Sequence, residues 1–284
     1  MTTDFNPLDH PEADHSAAGG PAVGGPEAER REAGGPVSRV RLADGRTAWL
    51  LTGHADVVRV LNDPRFSRAA AVLPAPRATP DVAIRSSPDA LINMDPPRHT
   101  AVRRLITAGL PRRVRAIRPR LARTATRLLA GIAADGPPAD FVARYALPLP
   151  TIAICDLLGV PEEDHHLFHA WARVRYLDAE HTAEQATEAF DRLRDHLSAI
   201  IARRRAEPAE DLVSDIVRAS EQPSEGELLT NLLAFVIAGH NNSATLLATG
   251  LLTLCRHPAQ LGLLRRRPEL LPGAVEETLR HTRF

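Results

Sequence analysis

His99 and Arg103 are the clearest pair of donors in the chain. They lie in the run Met94-Asp95-Pro96-Pro97-Arg98-His99-Thr100-Ala101-Val102-Arg103. On a helix, a spacing of four puts both on one face. Two such donors suit a carboxylate or a phosphate. Arg98 and Arg104 stand close by, so a solvated basic face is the ordinary alternative. Glu277 and Arg280 are three apart, and on spacing alone they read as an ordinary surface ion pair. His165 and His169 stand four apart, a spacing that can hold a metal, but the glutamate of an H-E-x-x-H motif is missing. With His166 they read more simply as a polar helix face, and a metal-dependent hydrolase is the distant alternative. Cys155 sits in an apolar run, where a small hydrophobe is the default reading.

These residues need a scaffold, and one stretch dominates it. Residues 228–255 read LLTNLLAFVIAGHNNSATLLATGLLTLC. A helix that is apolar on all sides belongs in a large core or in a membrane. A polar knot, Gly239-His240-Asn241-Asn242-Ser243, breaks this stretch at its centre, and polar groups held there need partners or a ligand. Ser224 and Glu227 fit a capping box, and Arg256, His257 and Pro258 mark the end. A helix over 225–255 would run roughly 45 Å at about 1.5 Å per residue. The apolar length alone would suit a membrane span, but His240, Asn241 and Asn242 would then sit near the bilayer centre, at high cost. The buried soluble helix is therefore expected.

Around it the pattern is helical. Residues 37–42 and 47–52 are short runs of β-formers with Asp44-Gly45 between them, a hairpin signal. Helices are expected over 54–61, 98–108, 111–133, 140–147, 150–158, 161–176, 183–205, 211–219, 258–266 and 270–280. Pro148 is expected to end the fourth of these and Gly159 to cap the fifth. Residues 68–87 are rich in Ala, Pro and Arg and read as a long irregular loop. Residues 1–35 read as a disordered arm and 36–284 as one partial domain.

Composition narrows the chemistry. The 284 residues carry 35 basic and 35 acidic side chains, so no bulk charge points to nucleic acid or a membrane surface. Every basic residue is Arg, which excludes a Schiff-base lysine and a Walker-type phosphate loop. Two cysteines, Cys155 and Cys255, are too few for a disulfide framework or a four-cysteine zinc site. A reducing, cytoplasmic setting follows.

Taken in order, the chain shows a hairpin, Met-Asp-Pro-Pro-x-His-x-x-x-Arg, Pro-Leu-Pro-x-x-x-Ile-Cys-x-Leu-Leu-Gly-Val-Pro, a long helix with Ala-Gly-His at its centre, and Glu-x-x-Arg. This order resembles the bacterial cytochrome P450 family, the heme-thiolate monooxygenases, from about Pro36 onward. The resemblance implies a mainly α fold with a small N-terminal β-hairpin. It implies that His99 and Arg103 hold the heme propionates, and that Glu277 and Arg280 form a buried bracing pair. It implies that Ala238, Gly239, Asn241, Asn242 and Ser243 belong to the oxygen-binding segment, and that residues 68–87 form a mobile region over the substrate pocket. Heme, a ferredoxin with its ferredoxin reductase (or a flavoprotein), and a small hydrophobic substrate are the implied cofactor and partners.

Two departures matter. Family members usually carry an acid and a threonine after Ala-Gly-His; here Asn241 and Asn242 stand there, and an amide cannot cycle a proton at neutral pH. The family's cysteine ligand lies in a loop well beyond the Glu-x-x-Arg helix, whereas these residues end at Phe284, and neither Cys155 nor Cys255 matches it. The expectation is a chain lacking the C-terminal part of the fold, with an uncovered side on the central helix. A heme-free relative that activates a partner glycosyltransferase is the alternative.

Overall fold

A computed structural model describes residues 35–41, 47–71, 84, 87–176 and 182–281. The arm expected over 1–35 lies almost wholly outside these residues, as do the Asp44-Gly45 turn and most of the loop over 68–87. The described residues divide into two compact units, one up to Ser67 and one from Arg68 onward.

The first unit holds a two-stranded antiparallel sheet and a helix. Strands β1 (Val37–Arg41) and β2 (Thr47–Leu51) pair Val37 with Leu51 and Arg39 with Trp49. The Arg39 guanidinium lies 5.7 Å from the centre of the Trp49 ring, a cation–π distance. Helix α1 (His54–Asn62) follows and stops at Asp63, whose carboxylate turns back to bind Arg65. Among the described residues no third strand pairs with either edge.

The second unit is helical. Helices α2 (Arg98–Thr107) and α3 (Leu110–Asp135) come first. Helix α3 runs unbroken through Pro119, an exposed position where the Arg115 carbonyl goes without its usual donor. Then come α4 (Pro148–Leu158), α5 (His165–Tyr176), α6 (Ala183–Ala206) and α7 (Leu212–Val217). The central helix is α8 (Glu225–Arg256), followed by α9 (Pro258–Arg266) and α10 (Leu271–His281). Among the described residues no helix is long and apolar enough to cross a membrane.

The helix expected from 161 begins at His165, after a 3-10 turn at Glu162–Asp164, and the clearest departure from the sequence reading is at Pro148. Pro148 does not end a helix: a π-helical turn at Val142–Ala146 leads directly into α4, and Pro148 sits in its first turn. There a missing N–H costs nothing, because the first amides of a helix have no partner within it. Gly159 closes α4 as expected, with φ of 71°. That left-handed conformation favours glycine, and a Cβ there would also run into the Asp211 carboxyl.

The core lies where α4, α5, α6 and α7 meet the front of α8. Leu158, Phe168, Leu197, Ile200, Leu212, Ile216, Leu228 and Leu232 are buried there. Leu228, Leu232, Val236, His240 and Ala244 recur every four residues and form the buried stripe of α8. The first turn of α8 is tied down by polar groups. Ser224 Oγ accepts from the Glu227 amide at 3.2 Å, and the Ser224 amide donates to Glu227 Oε2 at 2.8 Å. Arg98 Nε donates to Glu227 Oε1 at 2.6 Å, so α2 is anchored to the start of α8. One turn on, Asn231 accepts from the Leu91 amide and donates to the Asp89 carbonyl.

The middle of α8 is pinned to α4. Thr151 Oγ1 lies 2.8 Å from His240 Nδ1 and donates its own proton to the Leu147 carbonyl at 2.9 Å. The Thr151 oxygen therefore accepts from Nδ1–H of His240, which fixes the imidazole tautomer. Gly239 permits this approach: a Cβ there would come within 2.8 Å of Ile154 Cδ1 on α4. The ring of Trp171 on α5 stands edge-on to His240, with centroids 6.3 Å apart. Burial, and then the charge of His169, push the His240 pKa down to about 4.

Thr151→Val leaves a buried N–H without its acceptor and should lower unfolding free energy by about 1–3 kcal/mol in urea titration. In the parent, the unfolded chain binds a proton at His240 that the folded chain refuses, so stability should fall progressively as pH drops from about 6.5 to about 4. Glu227→Gln should cost about 1–2 kcal/mol at pH 7, a figure discounted because Arg98 is half exposed. Burial works to raise the Glu227 pKa, but the bonds from Arg98 and Ser224 outweigh it and hold the carboxyl below the ordinary glutamate value. The penalty of Glu227→Gln is therefore full above the ordinary value and should vanish as pH falls through the lowered one.

Candidate heme site

The two faces of α8 differ at its centre. His240 and Ala244 point into the core, while Ala238, Asn242 and Ser243 are exposed. The knot is thus split: one polar residue is pinned inward, and the amide and hydroxyl of Asn242 and Ser243 are presented outward. Asn241 lies between, and its buried Oδ1 has no hydrogen-bond partner among the described residues. A buried acceptor without a donor marks a place for a ligand or water.

His99 and Arg103 share a face of α2, as their spacing predicts. His99 is half-buried and Arg103 exposed. Among the described residues neither side chain has a hydrogen bond or ion pair. Arg98 belongs to a different system: its half-exposed guanidinium is taken up by the buried Glu227. A free imidazole and a free guanidinium on one helix face match the acidic edge of a heme. That edge carries two carboxylates, which accept from such donors.

Glu277 and Arg280 form their ion pair on α10, with Arg280 Nε donating to Glu277 Oε2 at 2.8 Å. Arg280 holds the Glu277 carboxyl below the ordinary glutamate value. The pair is not enclosed: the Arg280 side chain is 61% exposed. Leu271, Val275 and Leu279 of the same helix are exposed too, as are Leu251 and Leu252 on the rear half of α8. The Glu277 carboxylate is mostly covered, at 19% exposed, while the Arg280 guanidinium reaches solvent.

The cysteines do not fit a heme ligand. Cys155 is fully buried in α4, and burial, then Asp156, push its thiol pKa up, away from the thiolate form. Cys255 is exposed in the last turn of α8, far along the helix from the knot. The histidines of α5 also depart from a plain polar face. His166 is exposed, but His165 is buried, with Nε2 donating to the Val160 carbonyl at 3.2 Å. Among the described residues no group of three His, Cys, Asp or Glu is placed to hold a metal ion.

Two contributors to this geometry were not visible in the sequence. Thr151 looked like one more residue of an apolar helix, and nothing local signals its bond to a residue 89 positions away. Glu227 signals a cap in the sequence; its second role, with Arg98, spans 129 positions.

No family model matches the chain. Individual proteins do. The chain is 41% identical over 254 residues to pentalenic acid synthase of Streptomyces avermitilis, covering 87% of this chain and 62% of that protein. It is 41% identical over 250 residues to mycinamicin IV hydroxylase/epoxidase of Micromonospora griseorubida, covering 86% and 62%. Among solved structures it superimposes on the LnmZ cytochrome P450 hydroxylase of the leinamycin biosynthetic pathway of Streptomyces atroolivaceus with a TM-score of 0.79 at 36% identity. That match covers 88% of this chain and 69% of the LnmZ chain. The chain spans about 62% of the length of the curated relatives named above. With these identities, this fold and the ordered motifs from hairpin to Glu-x-x-Arg, the chain belongs to the cytochrome P450 family.

Proposed function

We propose that these residues are the front portion of a heme-dependent monooxygenase that hydroxylates a small apolar molecule, a natural product or a xenobiotic. The observation that carries this reading is the open face of α8 at Ala238 and Asn242, opposite the pinned His240, in a chain whose relatives are named as hydroxylases and oxygenases. His99 and Arg103 would hold the propionates of the heme. Bound there, a heme supplies oxygen activation. The protein's own residues orient it, shape the pocket and deliver protons.

Proton delivery is where this chain is unusual. Asn241 and Asn242 can donate and accept hydrogen bonds but cannot exchange a proton at neutral pH. His240 is neutral at pH 7 and faces Thr151, so it is no acid for the open face. Ser243 carries the hydroxyl nearest to hand, and a relay from it through water or a substrate hydroxyl replaces the usual acid. We place the protein in the cytoplasm and take its electrons from a ferredoxin and ferredoxin reductase, the partners that suit such an enzyme. None of the relatives named here is described as an auxiliary of a glycosyltransferase.

A chimera tests the proposal. Residues 36–280 joined to the remaining C-terminal portion of mycinamicin IV hydroxylase/epoxidase should take up heme and give the carbon monoxide difference spectrum of a thiolate-ligated heme. His99→Ala with Arg103→Ala should weaken heme retention by about tenfold or more. Asn241→Asp with Asn242→Thr should raise product formed per electron consumed by about tenfold, less than the hundredfold or more of a fully tuned acid–base group. A folded chimera that binds no heme would overturn the assignment.

A further inference from the structure

A second concave site lies between α3, α4 and α5. It is a cavity of about 610 Å³, within the range that holds small metabolites. Its wall is strongly basic. Arg120, Arg123 and Arg127 line it from α3, where spacings of three and four keep them on one side of the helix. Arg120 is already committed: its guanidinium reaches Asp156 at 3.2 Å and Glu162 at 3.3 Å. Arg123 and Arg127 have no ion pair or hydrogen bond among the described residues. Two uncommitted guanidiniums on one wall create demand for a dianion.

A buried hydroxyl sits between them. Thr124 lines the same cavity, is only 6% exposed, and makes no side-chain hydrogen bond among the described residues. A buried hydroxyl in a helix ordinarily returns to the carbonyl four residues earlier, as Thr126 does with Ala122. Thr124 instead keeps its donor available. Across the cavity stands His169, which burial and then His165 hold below the ordinary imidazole pKa. It is therefore neutral at pH 7 and can contribute an N–H without further charge. Ile152 is the apolar residue on the wall. An apolar ligand finds little to cover here, and a cation is repelled.

We propose that this cavity binds a small soluble phosphate ester, with Arg123 and Arg127 gripping the phosphate oxygens and Thr124 donating a third hydrogen bond. The planar forks of two arginines suit a tetrahedral oxyanion. The volume beyond the phosphate, bounded by Ile152, Glu162 and His169, takes the alcohol portion. Glu162 is an acceptor there, which suits a hydroxylated group such as a sugar.

Calorimetry on the full 284-residue chain tests this. The probes are glucose 6-phosphate and inorganic phosphate, measured against chloride at equal ionic strength. Saturable binding of glucose 6-phosphate is expected, tighter than that of inorganic phosphate. Arg123→Ala with Arg127→Ala should weaken it by about tenfold, and Thr124→Val by a few-fold. Arg115→Ala with Arg118→Ala, on the same helix but outside the cavity, should change it by less than about twofold. Thermal unfolding of each variant checks the fold; if the double alanine variant melts early, Arg123→Lys with Arg127→Lys carries the test and should retain part of the affinity. Vesicles containing phosphatidic acid present the same headgroup chemistry on a surface. No saturation above the chloride control, an equal loss in the Arg115/Arg118 variant, or binding to the vesicles alone would each overturn the proposal.

Discussion

The structure turns on one hydrogen bond between helices. A 32-residue helix that is apolar through most of its length carries a histidine at its centre, and that histidine is buried. Burying an imidazole nitrogen without a partner costs about 1–3 kcal/mol. Thr151 on α4 supplies the partner, and Gly239 lets the helices come close enough for the bond to form. Rotating α8 about its axis would break that bond and bury Asn242 or Ser243 in the core instead. The bond therefore sets which face of α8 is core and which is open. The open face at Ala238 and Asn242 is a consequence.

The front of α8 is held by a separate set of polar groups. Glu227 closes a capping box with Ser224 and takes the Arg98 guanidinium, while Asn231 bonds the backbone at Asp89 and Leu91. Arg98 is the residue before His99, so the ion pair that anchors α2 also positions the free His99 and Arg103. The His99–Arg103 face and the open face of α8 are thus set by two independent ties, to α2 and to α4. On the rear half of α8, Gly250 faces Thr278 of α10, and a Cβ at Gly250 would lie 3.0 Å from its methyl group. There Leu251 and Leu252 are exposed, and the Arg280 end of the Glu277–Arg280 pair on α10 reaches solvent.

Local physics made most of the helices legible. The Ser224–Glu227 box, Gly159 at a left-handed cap and Pro258 at a helix start are signals that act within a few residues, and each lies where it was expected. The family likeness was legible because its motifs are short and ordered. Pro148 misled because proline stops one helix and starts the next with equal ease, and only the chain on either side decides. Thr151 with His240, and Arg98 with Glu227, were not legible. Each joins residues about a hundred positions apart, and neither member is unusual where it stands. The basic cavity on α3 escaped for the same reason: Arg123 and Arg127 look like any exposed arginines until α4 and α5 are placed beside them.

The inward pin on His240 is the claim from which the rest follows, and its proton is directly observable. Nitrogen-15 NMR of a histidine-labelled chain at pH 7 reports the protonation of each ring nitrogen. His240 is expected to be neutral, with the proton on Nδ1, donated to Thr151. A proton on Nε2, or a charged imidazolium at pH 7, would contradict it and would leave the orientation of α8 without its cause.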